Sequence, residues 1–261
     1  MRIITVSNQK GGLAKSTTAT ALAAILRERG KTLLIDADPQ GNSTDTFRAQ
    51  TQGRATLFDV ILDEEPLKAE EAIQHTDSGD IIAADKLLTR ADEVLSKDIN
   101  GLFRMQDALS ELVGYDYIVI DTAPAMNTLL YNCLIASTDV VIPVTADRYS
   151  LQGLAGLSKT IRQIQKRQNP DLAVAGLLRV RYDPRTRLSK EVQTSLEAIA
   201  AGLDTKVFTT SIRECVKVRE AQVNKQTVIG YAPNCTAAID YRSFVDELDG
   251  ICTVAANEIG G

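Results

Sequence analysis

Tryptophan is absent from this 261-residue chain, histidine occurs once, at His75, and aromatic residues make up only 5%. A single imidazole disfavours catalysis built on histidine. The four cysteines, Cys133, Cys215, Cys235 and Cys252, show no C-x-x-C spacing and have no histidine near them. A metal cluster or a disulfide framework is therefore not expected, and a reducing cytoplasm fits. No apolar run reaches the length of a bilayer crossing. The chain enters an apolar strand at once, so no signal peptide is expected. What remains is an ordinary globular composition, 44% apolar and 24% charged. The length suits one α/β domain with a large core, or two small ones.

Net charge is −5, which argues against a nucleic-acid partner on its face. The distribution is uneven. Residues 160–225 carry thirteen Lys/Arg against seven acids, net +6, leaving −11 for the rest. A local basic face on an acidic protein is one reading, and an ordinary solvated face on two helices is the other.

The most informative stretch is Gln9-Lys10-Gly11-Gly12-Leu13-Ala14-Lys15-Ser16-Thr17. It follows the apolar run Ile3 to Val6, read as a buried strand, and precedes Thr18 to Arg29, read as a helix ended by Gly30. Strand, glycine-containing loop, Lys-Ser/Thr and helix is the layout of a phosphate-binding loop. Glycines let backbone N–H groups turn inward around an anion, and the helix N-terminus adds further donors and partial positive charge. In such a loop Lys15 reaches the β- and γ-phosphates and the Ser16 hydroxyl holds Mg²⁺. Gln9 and Ala14 stand where the usual pattern has its first and last glycines. An alanine at position 14 is expected to keep an ordinary negative φ.

Two further acidic strand ends follow. Lys31 to Ile35 reads as a strand running into Asp36-Ala37-Asp38-Pro39-Gln40-Gly41-Asn42, whose two carboxylates, two residues apart, are expected to point the same way. Ligands of open parallel sheets bind at the carboxyl ends of strands, so one of them could face a metal or an attacking water. Tyr117-Ile118-Val119-Ile120-Asp121-Thr122-Ala123-Pro124 reads as a strand buried on both faces and ending in an acid.

Together these segments resemble the ParA/MinD family of deviant Walker ATPases, and the short Soj-like ParA partition proteins most closely. The loop matches K-G-G-x-[GA]-K-[ST], the D-x-D-P-Q-G-N run matches that family's second motif, and Ile118 to Pro124 resembles its Walker B strand. The resemblance covers nearly the whole chain. It implies a P-loop NTPase spanning residues 1–261 as one doubly wound α/β domain, with a mostly parallel sheet and helices on both faces. It implies ATP and Mg²⁺ as cofactors, with Lys10 to Thr17 holding the nucleotide. Lys15 would neutralise the terminal phosphates, and Lys10 would reach the partner's nucleotide in an ATP-dependent sandwich homodimer. Ser16 and Asp121 would hold Mg²⁺, and Asp38, at the metal edge, would orient the water. The segment Arg213 to Ala221 resembles the one that passes the nucleotide base, with Cys215 in place of the usual asparagine.

The remaining elements are read from periodicity. A short helix is expected over Leu57 to Leu62, a strand over Ile81 to Ala83, and helical turns over 86–113 broken near Asn100-Gly101. A helix over Asn127 to Ser137, a strand over Asp139 to Val144 and a helix over Ser150 to Gln168 follow. After them come strands at Leu172 to Val180 and Val207-Phe208, with a helix near Ser189 between them. The last element is an amphipathic helix over 237–257 with Ile239, Phe244, Leu248, Ile251 and Val254 on its apolar side. The end lacks the Lys/Arg face that an interfacial anchor needs, so membrane binding is not expected. Arg185 and Lys217 fall where Soj-like proteins carry DNA-contacting arginines, which implies nonspecific DNA binding on the nucleoid and a ParB-type partner. With no N-terminal extension expected to hold a helix-turn-helix, sequence-specific operator binding is not expected. A maturation ATPase of the same fold, an ATP-binding scaffold with little turnover, and an ATPase that positions a membrane or protein cargo remain the alternatives.

Overall fold

The computed structural model describes all residues except 13, 146–147, 184–186 and 259–261, with the side chains of 148–152, 187–192 and 251–258 also left out. Eight strands among the described residues form one sheet. They are β1 Arg2–Val6, β2 Thr32–Ala37, β3 Ile73–Thr76, β4 Gly79–Ile82, β5 Tyr117–Thr122, β6 Asp139–Val144, β7 Ala173–Tyr182 and β8 Val207–Arg213, in spatial order β3-β4-β2-β5-β1-β6-β7-β8. Every pairing is parallel except the β3–β4 hairpin. The helices are α1 Lys15–Leu26, α2 Asn42–Thr46, α3 Leu57–Ile61, α4 Ala91–Leu95, α5 Arg104–Ser110, α6 Thr128–Ala136, α7 Arg148–Arg167, α8 Arg187–Gly202, α9 Val216–Val223, α10 Val228–Tyr231 and α11 Thr236–Glu258.

The central strands are mostly apolar, as strands covered on both faces are. Alternate residues feed opposite layers. Ile4, Val6, Leu34, Val119 and Val141 join α1 and α11 through Leu22, Ile25, Tyr241, Phe244 and Leu248. Ile3, Leu33, Ile35, Ile118 and Ile120 face the other way, onto Leu57, Ile61, Leu109 and Cys133. Farther along the sheet Ile142, Val144 and Leu177 pack on Leu154, Leu157, Ile161 and Leu196 of α7 and α8. Asn127 caps α6 by accepting the Leu130 N–H at 3.0 Å.

The structure corrects several expectations. Gly30 is no left-handed cap: α1 stops at Leu26, and Gly30 is glycine because an added Cβ would lie 2.7 Å from Oδ2 of Asp116, which accepts the Lys31 N–H. Ile239 points to solvent; the buried side of α11 is Ala237, Ala238, Tyr241, Phe244, Val245 and Leu248. The second strand runs on to Ala37, and β8 to Arg213.

Gly176 supplies a test of the packing. It sits in β7 with φ +154, and a Cβ there would meet Phe208 Cε2 at 2.6 Å and the Lys206 carbonyl at 3.0 Å. Phe208 is itself wedged edge-on against Phe244, ring centroids 4.9 Å apart, so it has little freedom to move. Gly176→Ala is expected to cost about 3 kcal/mol, from backbone strain plus overpacking. A urea midpoint within error of wild type would show that this contact yields.

Candidate nucleotide-binding site

Strand order places the site. The chain leaves β1 for β2 on one side of the sheet and returns through β5 to β6 on the other, so the carboxyl ends of β1, β2 and β5 border one crevice. Register brings the acids together: Asp121 of β5 pairs with Val6 of β1 and with Asp36 of β2. A cleft of about 420 Å³ opens there, lined by Gly11, Gly12, Ala14, Lys15, Ser16, Thr17, Asp38, Gln40, Asn42, Pro124 and Gln222 among others.

The loop leads directly into α1, which begins at Lys15. Ala14, the residue before it, has φ 55 and ψ 25, contrary to the negative φ expected of an alanine. The left-handed turn that a glycine makes cheaply is kept, at some strain, by a residue with a Cβ. Its carbonyl still accepts the Thr18 N–H at 2.8 Å. Lys15 is 6% exposed and its Nζ donates to the Lys10 carbonyl at 3.1 Å. Burial pulls the Lys15 ammonium below its ordinary range, against the charges of Asp121 and Asp38, which hold it up. Lys10 donates its own N–H to Asn8 Oδ1 at 3.2 Å. Leu13 lies outside the described residues.

The two carboxylates of Asp36-Ala37-Asp38 do not act alike. Asp36, fully buried inside β2, accepts the Thr44 N–H at 2.7 Å, the Thr44 hydroxyl at 2.8 Å and the Asp38 N–H at 3.1 Å. It ties α2 to the sheet and does not line the cleft. Asp38, just past the strand end, lines the cleft while its Oδ1 accepts the Gln40 N–H at 3.0 Å. Burial, and then the Asp121 charge, push the Asp36 carboxyl up. Burial does the same to Asp121, with the Ser16 and Ser43 hydroxyls pulling back.

Whether this set suits Mg²⁺ can be judged from Asp121. Ser43 donates to its Oδ2 at 2.7 Å, but its Oδ1, fully buried, has no hydrogen-bond partner. A buried carboxylate oxygen normally finds one, so an orphan beside Ser16 and Asp38 fits a hard cation and its waters. Two crowded carboxyls opposed by one buried ammonium point the same way.

A smaller pocket of about 110 Å³ adjoins the loop, lined by Ala14, Thr17, Arg181, Arg213, Cys215, Val218, Gln222 and Tyr241 among others. Its lining mixes apolar side chains with the polar groups of Arg181, Arg213, Glu214, Arg219 and Gln222. Arg213 reaches this pocket with its guanidinium forked onto Asp240, at 2.7 Å and 2.9 Å. Sequence reasoning missed Ser43, Thr44, Arg181 and Gln222. Gln222 lines both cavities, and its Nε2 donates to the Thr17 hydroxyl at 3.2 Å, a link across 205 residues with no local signal.

Residues 1–174 match the family described as an AAA domain. The chromosome partitioning protein ParA of Caulobacter vibrioides is 33% identical over 253 residues, covering 95% of this chain and 94% of the relative. The chromosome-partitioning ATPase Soj of Thermus thermophilus is 36% identical over 249 residues, covering 95% of each. The chain belongs to the ParA/MinD family of Walker-type ATPases. Among solved structures, cobyrinic acid a,c-diamide synthase from Mycobacterium smegmatis with bound ADP and magnesium superposes with a TM-score of 0.79 at 29% identity, covering 94% of this chain and 93% of that one. The doubly wound α/β fold read from the sequence is thus the fold of this ParA/MinD-family chain.

Part of the basic segment proves to be paired with acids. Lys217 of α9 bonds Glu220 at 2.8 Å, Lys225 bonds Asp45 at 2.6 Å, and Lys206 lies 3.7 Å from Glu247. Arg179 donates to the Phe208 and Thr209 carbonyls, both at 2.9 Å. Several of these acids lie outside 160–225, so a net charge of +6 overstates the positive face. Arg185 lies outside the described residues. Among the described residues no helix is long and apolar enough to cross a membrane.

Proposed function

We propose that this chain is a single-unit, Mg²⁺-dependent ATPase that forms an ATP-sandwich dimer and binds DNA without sequence preference. In this reading it partitions a chromosome region, plasmid or mobile element with a ParB-type partner on the nucleoid, and turns over slowly until that partner stimulates it. The carrying observation is that Lys15, Ser16 and Asp38 line one cleft behind a glycine loop, with the buried, unpartnered Asp121 oxygen next to them. Similarity to partition proteins along 95% of the chain sets the biological direction.

In this reading, loop N–H groups and the α1 N-terminus hold the phosphates, and Lys15 exchanges the Lys10 carbonyl for phosphate oxygens. Ser16 and Asp121 would hold the metal, which would supply charge neutralisation for the phosphates. Asp38 orients the attacking water from the strand end. Catalysis is positioning and electrostatics, with no covalent intermediate on the protein. Lys10 points its charge toward the second subunit's nucleotide, and Arg213 and Cys215 border the base.

The test is binding to nonspecific duplex DNA with ATP, ADP or no nucleotide, across a salt series. Binding is expected only with ATP and to weaken steeply with salt, since phosphate contacts release counterions. Lys217→Ala or Arg185→Ala should each weaken binding severalfold on every sequence and lower the salt slope by about one. Intact hydrolysis with no DNA binding under any nucleotide would overturn the DNA-carrier reading and leave a membrane or protein cargo to be tried.

A further inference from the structure

The carboxyl end of β7 falls out of register with β8. Val180 pairs with Ile212 and Tyr182 with Arg213, so Arg181 is an extra residue with no partner on the neighbouring strand. It holds φ +51, in the left-handed region that an L side chain rarely adopts. A bulge beside a site re-aims a side chain, and strained backbone clusters where a ligand is clamped. Among the described residues five non-glycine residues have positive φ, and two of them, Ala14 and Arg181, line both the cleft of about 420 Å³ and the pocket of about 110 Å³.

The side chain that the bulge presents is a cation without a partner. The other arginine of this strand end is tied down: Arg179 donates to Gln193 at 3.1 Å and to the Phe208 and Thr209 carbonyls, and lies over the Tyr182 ring. Arg213 across the small pocket is forked onto Asp240. Arg181 is exposed, and among the described residues no carboxylate or carbonyl holds its guanidinium. The residues common to both cavities are Ala14, Thr17, Arg181, Val218 and Gln222, and Arg181 alone of these carries a charge. Lys15 and Ser16 stand at the terminal phosphates. The boundary between the cavities is therefore where the α-phosphate and ribose pass on their way to the base.

We propose that Arg181 is a nucleotide-binding residue whose guanidinium takes the α-phosphate of ATP and ADP from the β7 side, opposite the glycine loop. A planar fork of N–H donors matches two phosphate oxygens, which a lysine at this place does not. The left-handed backbone is the cost of turning that fork inward from a strand end. This inference rests on the nucleotide reading above and adds to it a contact outside the loop.

The experiment measures ADP affinity by calorimetry for wild type, Arg181→Gly and Arg181→Lys, beside urea unfolding without nucleotide. Arg181→Gly is expected to lose about tenfold to a hundredfold in ADP affinity, the scale of hydrogen bonds to a charged group. Its urea midpoint should be no lower than that of wild type, because glycine holds φ +51 without a Cβ to strain. Arg181→Lys should fall between the two in affinity. The two diastereomers of ADP carrying sulfur on the α-phosphorus supply the readout that a structural role would not move: wild type should discriminate between them, and Arg181→Gly should discriminate less. Unchanged ADP affinity in Arg181→Gly would overturn the proposal. Affinity lost together with the urea midpoint would make Arg181 a support of the fold, and overturn it too. Affinity lost with the diastereomer preference intact would move the contact off the α-phosphate. A wild type that binds neither ATP nor ADP would overturn the nucleotide reading itself, and the Arg181 contact with it.

Discussion

Lys15→Ala is expected to remove measurable nucleotide binding while leaving the protein folded. Lys15 is almost fully buried and directs its ammonium into the cleft, where its present partner is the Lys10 carbonyl. Two charge-assisted bonds to phosphate oxygens, at about 1.5–3 kcal/mol each, amount to about 3 kcal/mol or more, a loss in affinity of about a hundredfold at the least. The fold should barely notice. Burial already pulls the folded-state ammonium below its ordinary range, so the charged lysine is held at some cost and its removal forfeits little stability. The counterweight is that Asp121 and Asp38 lose the positive charge that favours their ionised forms. Calorimetric titration with ATP and Mg²⁺, beside a melting curve, separates the two effects. Retained micromolar binding would sink the phosphate role of Lys15. A collapsed melting temperature would show that the lysine serves the fold instead.

How much of this was readable in the chain depends on how local each signal is. β5 and β6 were legible because a run such as Ile118 to Ile120 is apolar on both faces and bounded by an acid. The hairpin strand β3 was not: Ile73-Gln74-His75-Thr76 is short, mixed in polarity and at the sheet edge, where one side chain in two meets water. β8 reads as two residues because Thr209 to Ser211 are polar, yet it continues beside β7 to Arg213. The same-side rule for Asp36 and Asp38 failed because it assumes both sit in a strand, and β2 ends between them at Ala37. Ala14 kept a glycine-like turn because its neighbours in the loop and α1 dictate the path, overriding a residue's own preference. The basic segment misled because charge counting sees sequence neighbours, whereas Arg213 pairs with Asp240 and Lys225 with Asp45.

The contrast between Asp36 and Asp38 gives the second large effect. Asp38→Ala is expected to cut hydrolysis about a hundredfold or more, the usual scale for losing a group that handles the reacting water, with nucleotide affinity changed only a few-fold. Its carboxylate borders the cleft beside Lys15 and makes one local bond, to the Gln40 N–H, so the fold loses little with it. Asp36→Ala should do the reverse. It strands the buried Thr44 N–H and the Asp38 N–H, at about 1–3 kcal/mol for each group left unpaired, and leaves the Thr44 hydroxyl only the Ala84 N–H that it accepts. Relief of the charge crowding with Asp121 offsets part of that cost, since burial and Asp121 both push the Asp36 carboxyl up. A net loss of about 3 kcal/mol is expected, read as a shifted urea midpoint. Single-turnover hydrolysis and equilibrium unfolding on the two variants decide the matter. If Asp38→Ala turns over at the wild-type rate, the water is oriented elsewhere in the cleft. If it also loses nucleotide, Asp38 belongs to ground-state binding; and if Asp36→Ala is as stable as wild type, α2 is held to the sheet by something other than that carboxylate.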